Sequence, residues 1–350
     1  MISGKDRNNG CFLSSSTRIT DLYDVDFDVS AIERGDWGHG DYVAARVTGQ
    51  PNSLYKIEIP SGRMVDMMEG DLVIGALGKR AATLEGVGSW EDIADDGKLH
   101  ALTSAGLFGK ATSTSLLLPP LMTMQYEGHV QRGGKTLAMR DFIAPVEDLA
   151  LDTPVILMVG TSMSAGKTTA GKVVVHELSN AGLRVVGAKF TGAARYRDML
   201  SFRDSGAAAI FDFVDAGLPS TVVPQKRFEE AMRHMISCMA AAKPDVVVAE
   251  AGASPMEPYN GAVAIHALRN HLVFVLLCAS DPYSVLGVQT AFGLHPHVIT
   301  GPATNTTAGV ALVKKLTGLP ALNLLDPKSM QPLRKMMSAA LPDSVGFSAQ

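Results

Sequence analysis

The chain is poor in several things, and each scarcity excludes a class of protein. Cysteine occurs three times in 350 residues, at Cys11, Cys238 and Cys278. An odd, widely scattered set builds neither a disulfide framework nor a zinc site, so a reducing, cytoplasmic setting is expected. Aromatic residues make up only 6% and tryptophan occurs twice. No basic-then-apolar leader opens the sequence. The longest strongly apolar run, 272–279, is too short to span a bilayer and reads as a buried strand, so no membrane partner is expected. Net charge is −4, which gives no general basic surface for nucleic acid.

What is present is a core-forming composition, 46% hydrophobic and 19% charged, with no long low-complexity tract. A chain of this length is expected to form two domains. The charge divides unevenly. Residues 1–150 carry 14 Lys+Arg against 21 Asp+Glu, or −7, and residues 151–350 carry 17 against 14, or +3.

Residues 1–148 read as a β-rich domain, a small barrel or sandwich. Short apolar or alternating runs over 41–90 are broken by Gly, Pro and Asn, with Ser61-Gly62 and Glu69-Gly70 as turns. Arg132-Gly133-Gly134-Lys135 reads as a hairpin tip, and Pro145 to Asp152 as the linker. No chemical role follows for this half from its residues.

Residues 149–350 alternate strand and helix. Helices are expected over 168–180, 203–216, 228–242 and 306–317. Strands are expected over 155–159, 183–189, 221–223, 245–249, 272–279, 298–301 and 321–325. This pattern implies an α/β domain, a mostly parallel sheet with helices on both faces. Ligands then gather at the carboxyl ends of the strands.

The most informative stretch is PVILMVGTSMSAGKTT, residues 154–169. An apolar strand enters a small-residue loop, Gly160, Thr161, Ser162, Met163, Ser164, Ala165, Gly166, which closes on Lys167, Thr168 and Thr169 at a helix start. Backbone N–H groups of such a loop form an anion-sized cup, and the helix start adds donors and a positive dipole end. Lys167 is placed to reach the outer phosphates of a nucleotide, and the Thr168 hydroxyl to hold Mg²⁺. The usual pattern, G-x-x-x-x-G-K-[ST], is met except that Thr161 stands at the first Gly position and Gly160 one place early.

Three further strand ends carry candidate residues. Glu250 follows an apolar strand and precedes Gly252 and Ser254; an acid there holds Mg²⁺ or its water shell. Lys189 precedes Thr191 and Gly192 and can neutralise a transferred phosphoryl group or anchor a substrate anion. Arg195, Arg197 and Arg203 follow and could grip a carboxylate or phosphate, or simply form a charged helix surface. Asn305, in Thr300-Gly301-Pro302-Ala303-Thr304-Asn305, suits either the nucleotide base or a helix N-cap. Asp281 is a strand-end acid of unassigned role, and His295 and His297 without a third ligand make no metal site.

The order of these motifs resembles dethiobiotin synthetase and its relatives among P-loop NTPases. The family loop G-T-D-x-x-V-G-K-T is similar to Gly160 to Thr168, K-P-V-x-x-G to Lys189 to Gly192, and V-E-G-A-G-G to Ala249 to Ala253. The P-loop family containing D-glutamate N-acetyltransferase is also similar, through V-E-G-Q-G-S-L-x-H-P against Ala249 to Pro258 and D-F-x-x-G-A against Asp212 to Gly217. The likeness covers about 154–325 and nothing in 1–150. It implies nucleotide and Mg²⁺ binding at Gly160–Thr169, roles for Glu250 and Lys189, and a homodimer.

Ser162 replaces the family's loop Asp, so Glu250 must carry more of the Mg²⁺ load, or Asp281 or Asp198 must help. Ala251 replaces a Gly. The expected activity is an ATP- and Mg²⁺-dependent enzyme, ligase or kinase, that activates a small polar metabolite by phosphoryl transfer. Lys167, Lys189 and Glu250 are the catalytic candidates, and Thr168 and Glu250 the metal candidates. Thr191, Gly192, Arg195, Arg197, Gly252 and Ser254 are the substrate candidates. The alternatives are an N-acyltransferase whose loop cradles acetyl-CoA, and a nucleotide-switch assembly factor. No guanine-reading N-K-x-D motif occurs, which leans toward adenine.

Overall fold

The computed structural model describes residues 7, 8, 10–49, 55–252 and 254–348. The chain divides into two compact units. The first comprises 1–145 with the returning segments 193–197 and 213–224; the second comprises 146–192, 198–212 and 225–350.

The first unit is a β-barrel. Leu72–Leu77 pairs antiparallel with Tyr42–Val47, which pairs with Thr123–Arg132, then Lys98–Thr103, then Leu107–Thr114. Leu107–Thr114 returns to Leu72–Leu77 in parallel and closes the ring. Closure removes the exposed sheet edges that an open sheet of this size would leave. Val43, Ala45, Val73, Leu77, Phe108 and Met124 fill its interior. Gly75 is required there, because a Cβ would lie 2.5 Å from the Gly106 carbonyl oxygen and 2.6 Å from the Phe108 ring. Arg132 pairs with Lys135 across the expected hairpin tip.

The second unit holds a six-stranded, all-parallel sheet. Its strands are β1 (Val155–Gly160), β2 (Val185–Thr191), β3 (Ala209–Asp212), β4 (Val246–Ala251), β5 (Leu272–Cys278) and β6 (Val298–Thr300), in spatial order β3-β2-β4-β1-β5-β6. The helices are α1 (Lys167–Asn180), α2 (Tyr196–Asp204), α3 (Gln225–Ala241), α4 (Gly261–Leu268), α5 (Pro282–Phe292), α6 (Thr307–Thr317) and α7 (Met330–Ala340), on both faces of the sheet. The first two residues of α2 are counted with the first unit. β1, β2 and β4 are buried along their whole length, as central parallel strands must be.

Three expected elements differ. The helix expected over 203–216 is instead the end of α2 followed by β3, because α2 begins earlier, at Tyr196. The strand expected over 221–223 is absent; only Ser220 pairs, with Ala193, and Pro224 next to the run has no N–H to continue a ladder. The strand expected over 321–325 reduces to a single bridge between Ala321 and Ile299.

Phe202 fixes α2 against the sheet. It is buried where two neighbours lack side chains: a Cβ on Gly171 of α1 would lie 2.3 Å from its ring, and one on Gly187 of β2 would lie 2.7 Å from it. Gly187→Ala therefore loses about 1–3 kcal/mol by overpacking, read from denaturant unfolding, and Phe202→Leu in the same chain recovers part of that loss. An unchanged midpoint for Gly187→Ala contradicts this packing.

Candidate functional site

The loop after β1 begins where Thr161 N–H donates to the Cys278 carbonyl of β5 (3.0 Å) and ends at Gly166, whose φ of +91° suits glycine alone. Lys167 opens α1 and is almost wholly buried. Its ammonium donates to the Ser162 carbonyl (2.6 Å) and lies 3.4 Å from that of Met163. Gly160 accounts for the displaced glycine of the motif: a Cβ there would lie 2.7 Å from Lys167 Nζ. The lysine stem needs that space. An anion entering the loop would have to take the Lys167 ammonium from these carbonyls.

A cluster of hydroxyls occupies the first half of the loop. Ser280, after β5, lies with its Oγ 2.9 Å from Ser162 Oγ and 3.2 Å from Thr161 Oγ1, and its N–H donates to Thr161 Oγ1. Ser164 is exposed and Ala165 is buried. Gly301 lets β6 approach, since a Cβ there would meet the Ala165 carbonyl at 2.4 Å.

The sheet register lines up the charged strand ends. Glu250 of β4 is opposite Met158 of β1 and Lys189 of β2, and Lys189 is opposite Asp212 of β3. Thr168 Oγ1 donates to Glu250 Oε2 (3.0 Å). Lys189 Nζ donates to Asp198 Oδ2 of α2 (2.7 Å). Lys167, Lys189, Glu250 and Asp212 are each under 5% exposed, so these charges meet away from bulk water, where pairing is obligatory.

Their protonation follows. Burial pushes Lys167 below its usual range, with Glu250 opposing. Burial would also lower Lys189, but Asp198 and Glu250 outweigh it and hold the ammonium charged. Burial raises Glu250 despite Lys189 and Lys167 nearby. Burial likewise pushes the Cys278 thiol up to about 12, which makes it a core residue and no nucleophile.

A divalent cation fits the Thr168–Glu250 pair, whose hydroxyl and carboxylate oxygens are the hard donors that Mg²⁺ takes. Among the described residues no group of three His, Cys, Asp or Glu forms a ready metal cage.

The remaining candidates separate. Gly252 N–H donates to both Thr191 O and Thr191 Oγ1 (3.0 Å each), and a Cβ on Gly252 would lie 2.0 Å from Thr191 O. Thr191, Gly192 (φ +128°) and Gly252 therefore clamp two strand ends beside Lys189. Ser254 N–H donates to Glu257 Oε2 (2.7 Å) in the following turn. Arg195 and Arg197 are exposed and belong to the first unit. Asp281 caps α5, accepting from the N–H of Tyr283 and of Ser284. His297 accepts from Val275 N–H and packs on Phe274.

Thr306, and not Asn305, caps α6. Asn305 instead lies at the rim of a cavity of about 160 Å³ formed with Gly166, Thr169, Gly301, Asn323 and Leu325, directly beside the loop. Leu325 is 68% exposed, an apolar surface left open at that cavity.

Sequence reasoning passed over Glu257, Ser280, Asn323 and Leu325. It gave Asp212 no role because β3 was hidden inside an expected helix. Only the register, once known, brings Asp212 to Lys189.

The parallel sheet in the order β3-β2-β4-β1-β5-β6, with a small-residue loop between β1 and α1, gives the strand–loop–helix arrangement that a phosphate-binding loop uses. No family model matches the chain, and no curated protein does. Solved structures similar to part of it include chloroplast FtsY from Physcomitrella patens (16% identity, TM-score 0.36, covering 51% of this chain and 59% of that one). The signal recognition particle receptor FtsY from Elizabethkingia anophelis in complex with GDP is similar at 16% identity and TM-score 0.38, over 51% and 59%. The signal recognition particle 54 kDa protein from Aeropyrum pernix K1 in complex with GDP is similar at 13% and 0.35, over 57% and 50%. The chain spans between half and three fifths of these three proteins, and likeness at this level carries no argument about activity.

The raised Glu250 sets a pH dependence. A carboxyl whose proton is held more tightly than usual loses its charge at a pH above the ordinary glutamate range. Mg²⁺-dependent nucleotide binding should therefore weaken as pH falls, starting above that range. Glu250→Gln should weaken binding throughout and flatten the profile. Titration calorimetry from pH 8 to 5 with and without Mg²⁺ checks this; an unaltered pH profile in Glu250→Gln contradicts it.

Proposed function

We propose that the α/β unit is an ATP- and Mg²⁺-dependent enzyme that activates a small polar metabolite, a carboxylate or amine derivative, by phosphoryl transfer. The observation that carries this reading is the meeting of three buried groups at adjoining strand ends: Lys167 over its loop, Glu250 bonded to Thr168, and Lys189 locked by Asp198. A metabolite-independent binding module has no need of the second buried ammonium.

In this reading the loop N–H groups from Ser164 to Thr168 hold the phosphate chain. Lys167 leaves the Ser162 carbonyl and turns to the outer phosphates. A substrate oxygen attacks the γ-phosphorus, and the β–γ bridging oxygen departs with ADP. Lys189, kept charged by Asp198, stabilises the negative charge that builds on the transferred group. Thr168 and Glu250 would hold Mg²⁺, which would supply neutralisation of the phosphate charge.

The cavity beside Gly166 and Thr169 takes the base. Asn305 offers one acceptor and two donors on a planar amide, which suits the mixed donor and acceptor edge of adenine. The described cavity lining contains no carboxylate to accept from the guanine N–H pair. Leu325 supplies an apolar face for the ring.

Lys167→Ala should lower substrate-stimulated ADP release by at least ~10², the effect of removing a preorganised charge. Coupled-enzyme assay over a panel of carboxylate and amine metabolites reads this. Near-normal release in Lys167→Ala defeats the site assignment. Tight binding of acetyl-CoA in place of ATP, or hydrolysis stimulated only by a protein, defeats the phosphoryl-transfer reading. Asn305→Asp should shift preference from ATP toward GTP, seen by competition between the two; an unchanged ratio contradicts the placement of the base.

A further inference from the structure

Glu58 ends the strand Lys56–Glu58 of the first unit, and its carboxylate has no exposed surface. A buried carboxylate persists only where its lone pairs are filled. Ser15 Oγ donates to Oε1, Tyr196 N–H donates to Oε1 (2.7 Å), and Arg197 N–H donates to Oε2 (3.1 Å).

The two backbone donors are the opening N–H groups of α2, which no bond within the helix can satisfy. The carboxylate also meets the positive end of the helix dipole. Tyr196 and Arg197 belong with Glu58 to the first unit. The helix start is held a second time: the Arg18 guanidinium lies 4.5 Å over the Tyr196 ring and bonds Asp215 at 2.9 Å.

The next residue along α2 is Asp198, whose carboxylate takes the Lys189 ammonium. Lys189 has a second carboxylate within electrostatic reach, Glu250. While Asp198 keeps its place, Glu250 Oε2 can serve Thr168. If the first turn of α2 frays, Lys189 turns to Glu250 and competes with a metal for its oxygens.

We propose that Glu58 is a positioning residue for the α/β site: by capping α2 it fixes Asp198, and so keeps Glu250 available to Mg²⁺. The proposal rests on the nucleotide reading above, and its test separates the two.

Glu58→Gln keeps the side-chain shape but loses the charge and one acceptor. It should raise the Mg²⁺ concentration for half-maximal nucleotide turnover about fivefold, the worth of one helix cap, with nucleotide affinity in EDTA unchanged. Asp198→Asn should raise it comparably, and the double variant no further than the larger single effect, because both act on one linkage. Multiplying effects, or an unaltered Mg²⁺ requirement, overturn the proposal.

Hydrogen exchange without nucleotide gives an independent arm. Glu58→Gln should speed exchange of the amides of 200–204 while those of 42–47 stay protected; unaltered exchange over 200–204 overturns the proposal. Should the unmodified chain turn over no nucleotide while exchange behaves as stated, the nucleotide reading falls and the capping of α2 by Glu58 stands. Ser15→Ala removes one donor to the same carboxylate without touching the helix. It covers a Glu58→Gln chain that does not fold: the exchange over 200–204 should rise by a smaller step, and no rise overturns the proposal.

Discussion

The Lys189 ammonium, buried at the end of a central strand, constrains everything around it. A cation there is tolerable only with carboxylates in place, and the protein supplies them from three elements: Asp198 from α2, Glu250 from β4 and Asp212 from β3. The requirement fixes the register of three strands and the start of a helix. It also divides labour between the two nearer acids. Asp198 accepts the ammonium directly, which leaves a Glu250 oxygen to accept from Thr168. The loop after β1 carries hydroxyls in its first half, and Glu250 is the carboxylate that its Thr168 meets.

Much of the α/β unit was legible because its signals are local. Continuous apolar runs announce β1, β4 and β5, and the small-residue turn before Lys167 announces the loop. Residues whose identity is dictated by long-range fit were misread or left unassigned. Gly160 looked one place out of register until the lysine stem was seen to need its missing Cβ. Asn305 had a capping and a binding interpretation, and Asp281 was a strand-end acid of unassigned role; the cap belongs to Asp281 for α5 and to Thr306 for α6. β3 was hidden in the sequence, since four residues between α2 and a run of turns carry no period of their own.

The β-rich half shows the complementary limit. Alternation and turn residues gave a barrel or sandwich, and the parallel pairing of Leu72–Leu77 with Leu107–Thr114 decides for a barrel. The destination of Glu58 lay beyond reach. Its two backbone partners are 138 and 139 residues away in sequence, in a segment that returns to the first unit after β2. Carboxylates at strand ends are common on surfaces, and only burial distinguishes this one.

The decisive measurement is calorimetric titration of the full chain with ATP, in Mg²⁺ and in EDTA. Saturable one-site binding, weakened by EDTA, agrees with an anion-binding loop gated by the bonds from Lys167 to its own carbonyls. Absence of heat and of any thermal shift with millimolar ATP or GTP, in either condition, would show that the lysine stays on Ser162 and that the loop serves structure alone.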